Sequence, residues 1–188
     1  MKLRSLTSAP SLAGIRVVVR VDWNVPLSGG IEPEASLKIE RSLETIHWLQ
    51  KKKAIVLVLT HLGRPDGYEL RFSTEQLVPL LKKTYKLPVI FHKEGVEDRA
   101  DRKSLQEVVQ LAEPGSVHLL ENVRFQAGEE KNTVALAKAY ATLGDVFVND
   151  AFASCHRSHT SVVGIAKLLP AYAGFSLPEE VQALTKLI

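Results

Sequence analysis

The chain has 188 residues, 45% of them hydrophobic and 24% charged, with a net charge of +3, a pI near 9.0 and a mean hydropathy of 0.00. That balance is ordinary for a globular protein, and it excludes collagen-like, low-complexity and disordered classes; the length suits one domain, residues 1–188, with a proper core. The mild basic excess permits an anionic partner, and aromatic residues, at 6% and scattered, argue for a small anion rather than a nucleic acid, whose binders cluster Lys and Arg with interleaved aromatics.

Cys155 is the only cysteine, so an internal disulfide is excluded and a reducing cytosol is suited. The start, Met1 to Ser8, carries charge but no apolar stretch behind it, unlike a secretory signal. The purest apolar run, Ala54 to Leu59, is too short to cross a bilayer. The expectation is a cytoplasmic protein with no membrane partner.

In chain order, the β-branched Arg16-Val-Val-Val-Arg-Val21 predicts a strand that ends in the polar Asp22-Trp-Asn-Val-Pro26, with Gly29-Gly30 beyond it read as a turn. Leu37 to Gln50 places apolar residues at 39, 43, 46 and 49, which is helical spacing. The continuous run Ala54-Ile-Val-Leu-Val-Leu-Thr60 predicts a strand buried on both faces, stopped at His61-Leu-Gly-Arg-Pro65. Ser73 reads as a helix cap with Gln76 completing a weak capping box, the helix reaching about Thr84. Pro88 to Phe91 and Ser116 to Glu121 are strands, with a helix from Arg102 to Leu111 between them. Asn132 to Leu143 is a helix, and Asp145 to Asn149 a fifth strand. The tail offers a short helix near Ser161 to Leu168, a strand around Ala173 to Ser176 and a last helix from Pro178. Strands alternating with helices, each strand nearly all apolar, define an α/β fold: a Rossmann-like parallel sheet of about six strands with helices on both faces, three αβα layers.

Open parallel sheets bind ligands beyond the carboxyl ends of their strands. Asp22 and Asn24 follow the first strand, His61 and Arg64 the second, Asn122 and Arg124 the fourth, His156 and Arg157 the fifth. Four strands thus deliver polar or cationic groups to one edge. Three are arginines, whose planar fork matches phosphate and carboxylate. Each residue alone has a plain alternative: an Arg after a strand is often a solvated surface group, a lone His a satisfied half-buried one, and Asp22 a turn cap. The convergence carries the inference of a compact cationic pocket for a small phosphorylated acid. Cys155, His156 and His159 lack a second cysteine or a carboxylate at ligand spacing, so no metal site is expected. Neither of the glycine-rich phosphate loops nor a nucleophile elbow is present.

At these same loops the chain resembles the phosphoglycerate kinase family. Arg20-Val-Asp-Trp-Asn-Val-Pro26 is similar to R-V-D-F-N-V-P, Thr60 to Pro65 to S-H-L-G-R-P, and Leu119 to Phe125 to L-L-E-N-(L/V)-R-F. Val148 to His159 is similar to V-N-D-A-F-G-(T/S)-A-H-R-A-H, and Val163-Gly-Ile-Ala166 continues the match. The resemblance implies an amino-terminal domain that binds 3-phosphoglycerate, with Asp22 and Asn24 at its hydroxyl and carboxylate end. His61, Arg64, Arg124 and Arg157 would grip chiefly the phosphate, supported by His156. It also implies Mg-ATP or Mg-ADP on a separate carboxy-terminal domain, with no cofactor-binding residue in this chain.

Two departures stand out. Aligning backward from Leu43-Glu-Thr-Ile46 puts Lys38 where the family carries the catalytic arginine that stabilises the transferring phosphoryl, after a longer segment from Ile31 to Ala35. Lysine keeps the charge but loses the planar fork. The chain also ends at Ile188, in a helix whose Val181, Leu184 and Ile188 form an apolar stripe without evident cover, and the family's G-G-A-K-V segment is absent. Two readings stay open: the acceptor-substrate half of a phosphoglycerate kinase, inactive without its nucleotide half, or a stand-alone, non-catalytic 3-phosphoglycerate-binding protein.

Overall fold

A computed structural model describes residues 3–26 and 33–186; the side chains of 33–35 and 184 fall outside that description. The strands are β1 (Arg16–Val21), β2 (Ile55–Leu59), β3 (Ile90–His92), β4 (Val117–Leu120), β5 (Val146–Asp150) and β6 (Ala171–Ala173). They form one sheet in the order β3-β4-β2-β1-β5-β6, and every neighbouring pair is parallel. The helices are α1 (Pro33–Lys51), α2 (Val78–Lys83), α3 (Arg99–Gln110), α4 (Val134–Ala141) and α5 (Ser176–Thr185).

The period-2 alternation of each strand sorts its side chains onto two cores. Val17, Val19, Val21, Val56, Val58, Leu119 and Val148 pack with Ile39, Ile46 and Leu49 of α1 and Leu81 of α2. The intervening Val18, Leu57, Leu59, Leu120 and Phe147 pack with Leu105 and Val109 of α3 and Leu136, Ala139 and Tyr140 of α4. Both faces are therefore covered, which is why the strands read as unbroken apolar runs.

The sheet begins at its centre. The chain builds β2 beside β1, passes to the outer β3, fills in β4, then crosses to β5 on the other side of β1. This reversal opens a crevice at the carboxyl ends of β1 and β5. The opposite end is stapled where Arg16 donates from Nη2 to Asp145 Oδ1 (2.6 Å) and from Nε to Oδ2 (3.0 Å).

Several local expectations are corrected. Ser73 does cap its helix, but Gln76 donates to the Leu70 carbonyl instead of returning to the cap, and the first turn is 3-10 before α2. The predicted helix near Ser161 is a π-helix, Thr160–Gly164, followed by a short turn. The strand expected around Ala173 to Ser176 is β6, Ala171–Ala173. Ser176 instead opens α5, because Asp150 Oδ1 accepts from the Ser176 and Leu177 amides. In α5 the side chain of Val181 is half-buried, while the side chain of Leu184, and the whole of Ile188, Gly29, Gly30, Ile31 and Glu32, fall outside the description.

A buried histidine pair lies on the α3 side of the sheet. His92 Nε2 and His118 Nδ1 share a hydrogen bond of 2.8 Å, and Ser116 Oγ lies 2.9 Å from His118 Nε2. Burial lowers both imidazoles, His118 to about 4, with His92 a lesser cause. The unfolded chain takes up this proton near pH 6.5, well before the folded chain does, so acid favours unfolding. Between pH 7 and 5 His118 alone is expected to cost about 2 kcal/mol of stability. Urea unfolding at the two pH values checks this: His118→Asn should lose less stability than the parent, and an equal loss contradicts the assignment.

Candidate functional site

Three loops at the carboxyl ends of the strands, after β1, β2 and β4, are braced against one another by side chains, most of them bonding to backbone. After β1, Trp23 is wholly buried; its amide donates to Thr60 Oγ1 (3.0 Å) and its indole to Ser42 (2.7 Å). Asn24 Oδ1 accepts from the Gly63 amide at 2.8 Å, tying the first loop to the second. After β4, the buried Asn122 donates to the carbonyls of Leu62 and Phe72, both at 2.8 Å, and accepts from the Arg124 amide at 3.0 Å. The Glu121 carboxylate accepts from Ser73 Oγ (2.7 Å), the Thr74 amide (2.8 Å) and the Asn122 amide (2.7 Å), holding the third connection.

Arg124 is the hub of the cations. Its Nη1 donates to the Gly63 carbonyl, its Nε lies 3.6 Å from Glu130, and its side chain is only 6% exposed. Burial lowers its pKa; Glu130 opposes this, and Arg157 and Arg64 are near enough to add repulsion. Arg64 is exposed and Arg157 half-buried; Arg157 Nε donates to His156 Nε2 at 3.2 Å, so His156 acts there as an acceptor. His61 is 8% exposed, and its Nδ1 lies 3.0 Å from Arg20 Nη2. Burial, then the guanidiniums of Arg20, Arg124 and Arg157, push its pKa down to about 2. His61 is therefore a neutral member of the group read as a cationic pocket.

The remaining expected residues stand a little apart. Asp22 and Lys38 line a cavity of about 110 Å³ with Arg41, Asp150, Ser176 and Glu180, whereas Asn24 lines a different hollow with Gly63 and Phe72. Lys38 is exposed in α1, with Nζ 3.5 Å from the Asn24 carbonyl.

Sequence reasoning passed over a buried layer beneath these groups. Arg20, 1% exposed, reaches Ser161 Oγ at 2.9 Å as well as His61. Ser161 Oγ bonds Glu129 Oε1 at 2.5 Å, its amide bonds Oε2 at 3.0 Å, and His159 Nδ1 lies 3.9 Å from the same carboxylate. Burial raises the Glu129 pKa, opposed by Ser161 and Arg20. One signal was present: an arginine inside an otherwise apolar central strand needs a buried partner.

Fold and site together define a parallel-sheet α/β protein with a braced, arginine-rich edge suited to a small anion. Residues 7–188 match the family model described as phosphoglycerate kinase. The chain is 46% identical to a phosphoglycerate kinase of Caulobacter vibrioides over 189 residues, covering 98% of this chain and 45% of that protein. It is 45% identical to one from Thermus thermophilus, covering 93% of this chain and 43% of the relative. Among solved structures, the phosphoglycerate kinase of Coxiella burnetii superposes with a TM-score of 0.80 at 37% identity, over 98% of this chain and 45% of that one. That of Pyrococcus horikoshii gives 0.81 at 31% identity, with the same coverage. The chain belongs to the phosphoglycerate kinase family, and it spans a little under half the length of these relatives.

Gly63 has a left-handed φ of +60° and presses against Phe72 while bonding both Asn24 and Arg124. A Cβ there would drive into the Phe72 ring. Gly63→Ala is expected to cost about 1–2 kcal/mol, read as a lower urea midpoint, and an unchanged midpoint contradicts this account of the loop.

Proposed function

We propose that this chain is the acceptor-substrate half of a phosphoglycerate kinase, a single domain that holds 3-phosphoglycerate for reversible phosphoryl transfer between 1,3-bisphosphoglycerate and ADP. The observation that carries the reading is the gathering of Arg64 and Arg157 near Arg124, with His61 near Arg124 and Arg157, at the ends of three strands.

In this reading the three guanidiniums hold the phosphate, and His61 adds a neutral hydrogen bond. His156, as acceptor for Arg157 Nε, orients that guanidinium. Asn24 has its carbonyl oxygen committed to Gly63, so its amide NH₂ is the group it offers to the carboxylate. Asp22 accepts from the glycerate hydroxyl. The nucleophile is the carboxylate of the acid itself, already ionised at neutral pH, so no general base is needed. What the reaction requires is alignment and charge stabilisation of the phosphoryl group in transfer. In this reading Lys38 supplies the second of these.

A bare divalent cation does not suit this edge. Among the described residues no group of three His, Cys, Asp or Glu side chains is gathered for a metal, and the strand ends present guanidiniums that repel a divalent cation. The Mg-nucleotide is assigned to the part of the relatives' length that this chain does not span, and its domain is the partner.

Calorimetric titration tests the binding reading. The chain should take up 3-phosphoglycerate and not ATP, and Arg124→Ala should weaken the acid by about 10- to 100-fold, the worth of one charge-assisted contact. Binding of ATP without the acid would overturn it. In a chain joined to a family nucleotide half, Lys38→Arg is expected to raise kcat because the fork matches the phosphoryl oxygens; an equal or slower rate removes Lys38 from the catalytic role.

A further inference from the structure

Beneath the pocket lies a continuous chain of polar contacts that the proposed chemistry does not use. It runs from Glu129 through Ser161 and Arg20 to His61, and nearly all of it is shielded from water: Glu129 and Ser161 are 0% exposed, Arg20 1% and His61 8%.

The donor and acceptor roles along it are forced. A guanidinium has five N–H donors and no acceptor. The 3.0 Å contact of Arg20 Nη2 with His61 Nδ1 therefore requires that Nδ1 accept, and so carry no proton. The single proton of the neutral ring is then on Nε2, the nitrogen directed away from Arg20. At the other end, Arg20 Nε donates to Ser161 Oγ at 2.9 Å, and the Ser161 hydroxyl passes its own proton to Glu129 Oε1 at 2.5 Å. Arg20 Nη1 is spent on the Val21 carbonyl. Ser161 thus bridges a buried cation and a buried carboxylate, accepting from the first and donating to the second.

The backbone around Ser161 is built for this. In the π-helix Thr160–Gly164, the His159 carbonyl accepts from the amides of Val162 (3.2 Å) and Val163 (2.8 Å), and the Thr160 amide donates to the Glu129 carbonyl at 2.9 Å. Thr160 Oγ1 also bonds the Gly128 carbonyl at 2.9 Å. The turn is therefore stapled to residues 128–129, which brings both the amide and the hydroxyl of Ser161 onto one carboxylate. Such π segments recur at functional sites.

We infer that Ser161, held by Glu129, is a positioning residue: through Arg20 it fixes His61 as the neutral Nε2–H tautomer, with its one N–H kept for the ligand. Removing the hydroxyl leaves Arg20 Nε without its acceptor, and the guanidinium turns toward Glu129 and releases His61 Nδ1. The groups around His61 are Arg20 from β1, Arg124 after β4, and Arg157 and His159 after β5. All are cationic or imidazole, so none favours a protonated His61 in place of the lock.

Long-range ¹H–¹⁵N spectroscopy of the histidine rings, on the whole chain between pH 8 and 5, tests this without reference to substrate. The parent should show an unprotonated Nδ1 and a protonated Nε2 throughout. Ser161→Ala, with a native-like amide spectrum, should show a mixture of the two neutral tautomers of His61, and Ser161→Thr should restore the parent pattern. An unchanged His61 pattern in Ser161→Ala overturns the inference, as does a loss that persists in a folded Ser161→Thr, since packing would then set the tautomer. A companion 3-phosphoglycerate titration rests on the proposed function: Ser161→Ala should raise Kd about tenfold. If the parent does not bind the acid, the proposed function fails while the tautomer measurement still decides this inference.

Discussion

A cation that has given up its water sits at the end of the central strand, and the site is arranged around keeping it satisfied. Arg20 lies in β1 on the α3–α4 side, where alternation would otherwise place an apolar side chain like Val18. A buried guanidinium survives only if its donors are met and an opposite charge is close. Ser161, Val21 and His61 meet the donors, and Glu129 supplies the charge through Ser161. Because these partners come from β1, the β2 loop, the segment between β4 and α4, and the π-helix after β5, satisfying one side chain draws distant parts of the chain together beneath the pocket.

Above that layer, cross-bracing replaces size as the source of rigidity. Asn24 fastens to Gly63, Asn122 to Leu62 and Phe72, and Arg124 to Gly63. Each bond joins loops from different strands, so the ligand-facing groups are placed before anything binds. Preorganised donors suit phosphoryl transfer, where the protein stabilises charge and aligns atoms more than it exchanges protons. The pocket's electrostatics are also self-opposed: Arg64 and Arg157 lower the comfort of Arg124, a repulsion that an anion would relieve.

The sheet was legible because its signal is local and repeated. Arg16–Val21 forms a strand over the residues whose β-branching announced it, and β2, β4 and β5 agree within a residue or two. That His61 and Arg64, Arg124, and Arg157 follow β2, β4 and β5 could be read from the order of strands and loops. The charge state of His61 was hidden, since it depends first on burial and then on an arginine 41 residues away. The π-turn was hidden too: Thr160 to Gly164 has helical-looking spacing, and nothing in it announces that one carbonyl would take several amides. Asp150 capping α5 displaced the expected last strand for the same reason, a contact made only after folding. Lys38 was aligned to the family's arginine position, and in α1 its Nζ lies 3.5 Å from the Asn24 carbonyl of the first loop.

The central claim is that the strand-end donors together hold one phosphorylated acid. Nuclear magnetic resonance of the labelled chain titrated with 3-phosphoglycerate tests it most directly. The account predicts that the side-chain N–H signals of Arg124 and Arg157, the Nε2–H of His61 and the amides of residues 61–64 and 123–125 shift together with one affinity. Shifts confined to the α3–α4 surface, or none at these groups at saturating acid, would contradict it.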